Sequence, residues 1–285
     1  MAILSHKELL SNAGVEEDSK WLVEGLIRKA SLGICGAPPK CGKTWLCLAM
    51  AQAISTGTPF LGRFKVYKSR VLFLELEDSS RMLAERSIAL MRGHGIPEPE
   101  PGFLNFMLDQ VRIDTPDGVE NLRRALSETQ AKFLIIDTLN RSHAMNENLQ
   151  VHASQLISTL DKLRREFQCC IIAVHHLAKS AKGGQGGRAL RGSSVIHAGL
   201  ENSLYLTRVS SDGIIHVEPE SKFIQVDPFS YKIDGHDGKT SLQYVDPSHP
   251  QTDFIMPDIM TRINMSNKER KELMRRWDEH FGVKH

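Results

Sequence analysis

Long apolar runs are missing from this chain. No stretch approaches the roughly 18 uninterrupted apolar residues of a membrane span, and the opening residues MAILSHKELLSNAGVEEDSK lack the basic-then-apolar layout of a secretory signal. The expectation is a cytoplasmic protein with no membrane partner. Cysteine is scarce: Cys35, Cys41, Cys47, Cys169 and Cys170 are odd in number and show no C-x-x-C spacing, so neither a disulfide framework nor a zinc site is indicated. Aromatic residues make up 6% of the chain, and the net charge is only +2, too small to indicate nucleic-acid binding, so any basic signal must be local. What remains is ordinary globular material. The 285 residues, 41% of them hydrophobic, suffice for one large domain, or one plus a small appendage.

Two consecutive prolines stand where a glycine-rich run is usual in the stretch that carries the clearest chemistry, GICGAPPKCGKTWLCLA at 33–49. A phosphate-binding loop needs backbone N–H groups converging at a helix N-terminus, plus one cation. Gly42-Lys43-Thr44 has that layout: Lys43 reaches the β and γ phosphates, Thr44 holds Mg²⁺ through its hydroxyl, and Gly42 allows close backbone approach. The strict pattern wants glycine at position 37, where this chain has Ala37, with Gly36 one place earlier. Pro38 and Pro39 have no N–H to donate, but they precede the amides of Lys40, Cys41, Gly42, Lys43 and Thr44 that would form the nest. Ala37 to Trp45 is therefore the expected nucleotide-binding segment, with SLGICGA before it as a buried strand and KTWLCLAMAQAIS after it as a helix.

Strand-like and helix-like segments alternate to about residue 208. SRVLFLELED, DQVRID, KFLIIDT and CCIIAVHH are interleaved with the helical patterns SSRMLAERSIALMRGHG, DGVENLRRALSETQ and LQVHASQLISTLDKLRREFQ. That alternation predicts an α/β fold with a mostly parallel central sheet flanked by helices, and ligands at the carboxyl ends of its strands. After residue 208, GIIHVEP, KFIQVDP, YKID and SLQYV read as added antiparallel strands.

The strand ends are chemically informative. KFLIIDT closes on Asp137, a carboxylate placed to hold Mg²⁺ through water. VLFLELED ends in Glu75, Glu77 and Asp78; alternation sends Glu75 and Glu77 to one face, and Glu77, nearer the end, is placed to polarise an attacking water. CCIIAVHH delivers His175 and His176, and an imidazole there can sense a γ-phosphate.

A phosphate loop, a glutamate ending the next strand, an Asp-terminated strand and then a polar sensor resemble, in that order, the RecA-like P-loop ATPases, and among them the plasmid RepA-type hexameric replicative helicases close to the DnaB type. The resemblance runs from about residue 20 to about 230. It rests on the loop, Glu77-Asp78, Arg86, Asp137-Thr138-Leu139, His175-His176 and LRGSSVI at 190–196. It implies ATP and Mg²⁺ as ligands, a nucleotide contact from Arg86, a ring-shaped homo-oligomer, typically a hexamer, with ATP between subunits, and movement on single-stranded DNA. A residue completing the neighbour's site is expected after RGSS. The plasmid helicases place an arginine where this chain has Glu201, so Arg208 and Lys222 are the replacement candidates, each otherwise a solvated surface charge.

The segment LAKSAKGGQGGRALR contains Lys179, Lys182, Arg188 and Arg191, four glycines and no acid. Such a segment cannot bury a core face, and in RecA-like proteins its position is that of the DNA-binding loop; a plain surface loop is the other reading. It has no aromatic residue to stack on bases. At the C-terminus, SNKERKELMRRWDEHFGVKH has an apolar stripe at Leu273, Trp277 and Phe281, to dock on its own domain, a neighbour or a replication or recombination partner. The expected organisation is an N-terminal segment 1–20, an ATPase core 21–250 and a basic helical tail 251–285. A replicative helicase leads; a filament-forming recombination or annealing ATPase and a regulatory ATPase that never touches DNA share the same core.

Overall fold

The computed structural model describes residues 5–7, 20–145, 149–177, 194–209 and 213–245. Four apolar runs form its centre: β3 (Leu32–Ala37), β4 (Val71–Glu75), β6 (Phe133–Asp137) and β7 (Cys170–His176). Nearly every residue in them is buried, as expected of parallel strands covered on both faces. With β5 (Leu104–Met107) and β8 (Asn202–Arg208) they run parallel, and β9 (Ile214–Ser221), β10 (Phe229–His236) and β11 (Lys239–Val245) continue the sheet antiparallel. The nine-stranded order is β11-β10-β9-β8-β3-β7-β6-β4-β5. A separate hairpin pairs β1 (Trp21–Val23) with β2 (Ile27–Arg28).

Helices cover both faces. On one, α1 (Lys43–Thr56) follows the phosphate loop and is buried on almost every side, through Leu46, Leu48, Met50 and Ile54 among others. Beside it lies α2 (Ser80–His94), started by the Ser79 hydroxyl accepting from the Met82 N–H and ended at Gly95 in a left-handed conformation. On the other face, α3 (Pro116–Thr129) has Thr115 as its cap and Pro116 in its first turn, and buries Leu122 and Leu126. Next to it, α4 (Gln150–Phe167) buries Ala153, Leu156, Leu160 and Leu163, one helical stripe. A short α5 (Ser194–Gly199) precedes β8. Two apolar clusters, one on each side of the sheet, make up the core.

The antiparallel strands curl over the α1–α2 face. Gly93 lies so close to β11 that a Cβ there would sit 2.0 Å from the Thr240 carbonyl oxygen. One residue on, His94 Nε2 accepts a hydrogen bond from the Leu242 N–H at 3.0 Å.

The expected α/β, mostly parallel architecture with antiparallel strands added near the C-terminus is the one observed. Two strand placements differ. The edge strand is Leu104–Met107, not DQVRID, whose Val111 and Ile113 are buried while the Ile113 N–H bonds to the Ser142 carbonyl in a loop. KFIQVDP is a connection between β9 and β10 rather than a strand.

Candidate functional site

The parallel register decides what meets at the carboxyl end of the sheet. Glu75 is the partner of Asp137 across β4 and β6, and Ala37 that of His176 across β3 and β7. The loop after β3 rises over these ends. Lys40 (φ 63°) and Gly42 (φ 77°) are left-handed on either side of Cys41, an alternation that turns successive N–H groups into a concavity. Gly42 begins α1 with no side-chain cap, which leaves the first-turn amides for an anion. Glycine suits the position: besides its positive φ, a Cβ would lie 2.8 Å from Ile233 Cδ1 and 3.0 Å from Ile215 Cδ1.

Pro38 contributes as an acceptor. Buried Lys43 donates from Nζ to the Pro38 carbonyl at 3.0 Å and the Ala37 carbonyl at 3.2 Å, and lies 3.2 Å from His176 Nδ1. The other imidazole nitrogen, Nε2, is 3.8 Å from Glu77 Oε2. Burial, and next the Lys43 charge, push the His176 pKa down, while Glu77 opposes them. His175, its neighbour on the strand, is fully buried.

Glu75 and Glu77 do not share a face. The strand ends at Glu75, and the buried Glu75 Oε1 accepts from the N–H groups of Glu77 and Asp78, both at 2.8 Å, which turns the chain and releases Glu77 toward the cleft. Alternation holds only while the strand continues, and it stops two residues earlier than the sequence pattern suggests. Asp78 is ion-paired with Arg86, whose guanidinium lies 5.6 Å from the centre of the Trp45 ring.

Asp137 is 1% exposed, and neither of its carboxylate oxygens has a hydrogen bond of ordinary geometry. Burial, followed by the neighbouring Glu75 charge, pushes its pKa up to about 7, with the Thr44 hydroxyl and Lys43 opposing. Glu75 Oε2 is likewise buried without a partner. Buried acceptor oxygens beside a hydroxyl are a hard donor set suited to Mg²⁺, so the residues present fit that ion, with Thr44 and Asp137 to hold it directly or through its waters.

These groups line one cleft of about 500 Å³ that gathers Lys43, Thr44, Glu77, Arg86, Asp137 and His176. Arg208, expected to serve a neighbour's site, closes β8 on the same cleft, its Nη2 donating to the Lys40 carbonyl at 3.1 Å. Lys222 is at the other end of the sheet. Its N–H bonds to the Glu201 carbonyl where β8 begins, and its Nζ donates to the Ala198 carbonyl at 2.5 Å. Lys179, Lys182, Arg188 and Arg191 lie outside the described residues, as does the tail 251–285. Sequence reasoning missed Ile215, Ile233 and Tyr231, which support Gly42 from below. They are about 170–190 positions downstream of it, and no local pattern marks them.

Among solved structures, one of an ATPase domain matches at 16% identity with a TM-score of 0.57, over 75% of this chain and 85% of that one. A DnaB-like replicative helicase, solved in a study of its interactions with primase, matches at 17% identity with a TM-score of 0.58, over 76% of this chain. The match covers 58% of that helicase's length. At such identities the likeness establishes the RecA-like P-loop fold. The AAA_25 family, described as an AAA domain, matches residues 8–182, more than half of the sequence and all of the loop, Glu77, Asp137 and His176. The chain belongs to this family of AAA-type P-loop ATPase domains.

Proposed function

We propose that the protein is an ATP-hydrolysing motor on single-stranded DNA that works as a homo-oligomeric ring, typically a hexamer, of the replicative helicase kind. The observation that carries the reading is the line Lys43–His176–Glu77: a phosphate cation, an imidazole and a carboxylate in sequence, with His176 immediately before the glycine-rich basic segment at 177–191. The solved DnaB-like helicase of the same fold supports it.

In this reading the loop amides and Lys43 bind the β and γ phosphates, and Trp45 and Arg86 border the nucleotide. Mg²⁺, held at Thr44 and Asp137, would neutralise phosphate charge. Glu77, partly exposed at the cleft, accepts a proton from the attacking water as general base. Arg208, fixed on the loop of its own chain, adds positive charge in cis, and Lys222, remote from that cleft, is the residue offered to a neighbouring subunit. Lys179, Lys182, Arg188 and Arg191 contact DNA phosphates.

Electron microscopy of the full chain with a non-hydrolysable ATP analogue and single-stranded DNA tests the assembly. Closed rings are expected. Open filaments would make it a recombination-type ATPase, and no assembly together with DNA-independent turnover would make it a regulatory switch. Lys43→Ala should abolish hydrolysis while circular dichroism shows an intact fold; unchanged turnover would remove the ATPase assignment.

A further inference from the structure

The end of the sheet opposite the cleft collects cations. The connection between α1 and β4, GTPFLGRFKVYKSR at 57–70, contains Arg63, Lys65, Lys68 and Arg70 and no acidic residue; all four side chains are exposed. It lies along β1 like an added strand, with the Glu24 N–H bonded to the Lys65 carbonyl and the Tyr67 N–H to the Leu22 carbonyl, both at 2.9 Å. That pairing stacks Lys65 and Lys29 on the same Tyr67 ring, 4.9 and 5.8 Å from its centre. Next along the face, Lys68 and Arg70 lie 4.4 and 5.7 Å from the centre of Phe103. Lys132 follows, its N–H bonded to the Arg70 carbonyl at 2.9 Å.

Topology puts three of these residues at one end of the sheet, Arg70 and Lys132 on neighbouring strands and Lys29 beyond the intervening β7. Lys29, Arg70 and Lys132 stand immediately or closely before β3, β4 and β6, at the amino ends of parallel strands whose carboxyl ends form the cleft. Of the carboxylates among the described residues, Glu24 lies 3.6 Å from Lys65 and Glu100 2.6 Å from Lys68. Among the described residues no carboxylate is within ion-pair distance of Lys29 or Arg70. Holding a cationic head over an aromatic ring at an exposed site restricts where it can go, which lowers the ordering cost of meeting a polyanion. A protein partner is usually anchored by apolar side chains entering pockets. None of the exposed large hydrophobic residues lies in the segments that carry these cations.

We infer that Lys29, Lys65, Lys68, Arg70 and Lys132 form a second polynucleotide-binding face, which holds the sugar-phosphate backbone of a single strand away from the ATP cleft. The inference rests on the DNA reading above for its class of partner, but on different residues. Contacts are to phosphates, so binding is independent of sequence and falls as salt rises.

The test measures fluorescence anisotropy of a fluorescein-labelled oligothymidylate against the full chain across a potassium chloride series. The variant combines Lys29→Gln, Lys65→Gln, Lys68→Gln and Arg70→Gln. Four lost phosphate contacts should reduce the slope of log K against log salt by roughly 3 and weaken binding at least about tenfold at low salt, with basal ATP turnover unchanged. A charge-keeping variant, K29R/K65R/K68R/R70K, should bind as the wild type does; loss of binding there would show that shape and not charge matters, and overturn the proposal. Unchanged affinity and slope in the glutamine variant also overturn it, while leaving the motor reading intact. That reading fails by a separate result, wild-type turnover that DNA never stimulates. A change in assembly mass by light scattering with DNA affinity retained would make the face a contact between copies, and likewise overturn the proposal.

Discussion

His176 Nδ1 lies 3.2 Å from Lys43 Nζ, with the Lys43 ammonium also bonded to two loop carbonyls. An ammonium has no acceptor, so the close approach requires Nδ1 to be the bare nitrogen of a neutral ring, with the proton on Nε2 facing Glu77. The lowered His176 pKa agrees: burial disfavours the charged ring, and protonation would also set two cations against each other. The same ring thus touches the phosphate cation and the proposed base, and in the sequence it directly precedes the basic segment 177–191.

From that position, His176→Ala is expected to uncouple the two activities. Nucleotide and single-stranded DNA should both still bind, but DNA should no longer raise ATP turnover. Steady-state hydrolysis with and without DNA, beside separate binding titrations, checks this; full stimulation in the variant would exclude His176 as the relay.

The two glutamates at the end of β4 should separate cleanly. Glu77→Gln removes the base without disturbing the turn, so ATP should bind and hydrolysis should slow at least about a hundredfold, the usual scale for general base catalysis. Glu75 Oε1 accepts from two amides, and Glu75→Gln retains an acceptor there. Its effect on turnover should be the smaller, whereas Glu75→Ala leaves two N–H groups without their acceptor and should lower the melting temperature. A larger rate loss in Glu75→Gln than in Glu77→Gln would transfer the catalytic role to Glu75.

Asp137 illustrates a conflict between stability and function. Its carboxylate is buried beside that of Glu75, and its pKa of about 7 records how poorly the fold tolerates the charge. Asp137→Asn should therefore raise the melting temperature of the nucleotide-free protein, by roughly 2–4 °C for each kcal/mol of relieved charge burial. Mg²⁺-dependent hydrolysis should be lost. Scanning calorimetry with and without Mg²⁺ and ATP reads both effects, and a variant that is less stable than wild type yet still active would contradict the assigned ligand.

Much of this site was legible because buried parallel strands leave nearly continuous apolar runs: β3, β6 and β7 are such runs, and Ala37, Asp137 and His176 are their last residues. Glu75 was harder to read, since LELED alternates as a strand would while the Glu75 side chain ends the strand by bonding the next amides. The edge strand Leu104–Met107 is only partly buried, and Asn105 interrupts its apolar run. The support under Gly42 depends on the sheet curling back through Ile215 and Ile233, a tertiary contact that no local pattern encodes.

The last prediction concerns the other end of α2. His94 Nε2 accepts from the Leu242 N–H, and Gly93 beside it leaves no room between helix and strand. Burial lowers the His94 pKa below its ordinary 6.5. As pH falls through 6.5 the unfolded chain takes up a proton that the folded chain resists, so this contribution to stability is complete above 6.5 and lost below it. Asp137 and Glu75, whose pKa values are raised, act in the opposite direction, so the wild-type profile alone cannot isolate His94. Comparison with His94→Gln does, because a glutamine carbonyl can accept from Leu242 at any pH and the other groups cancel. Urea unfolding at pH 8 and pH 5.5 should show wild type losing stability relative to His94→Gln on acidification. A difference that stays constant with pH would mean that the His94–Leu242 bond does not hold α2 to the edge of the sheet.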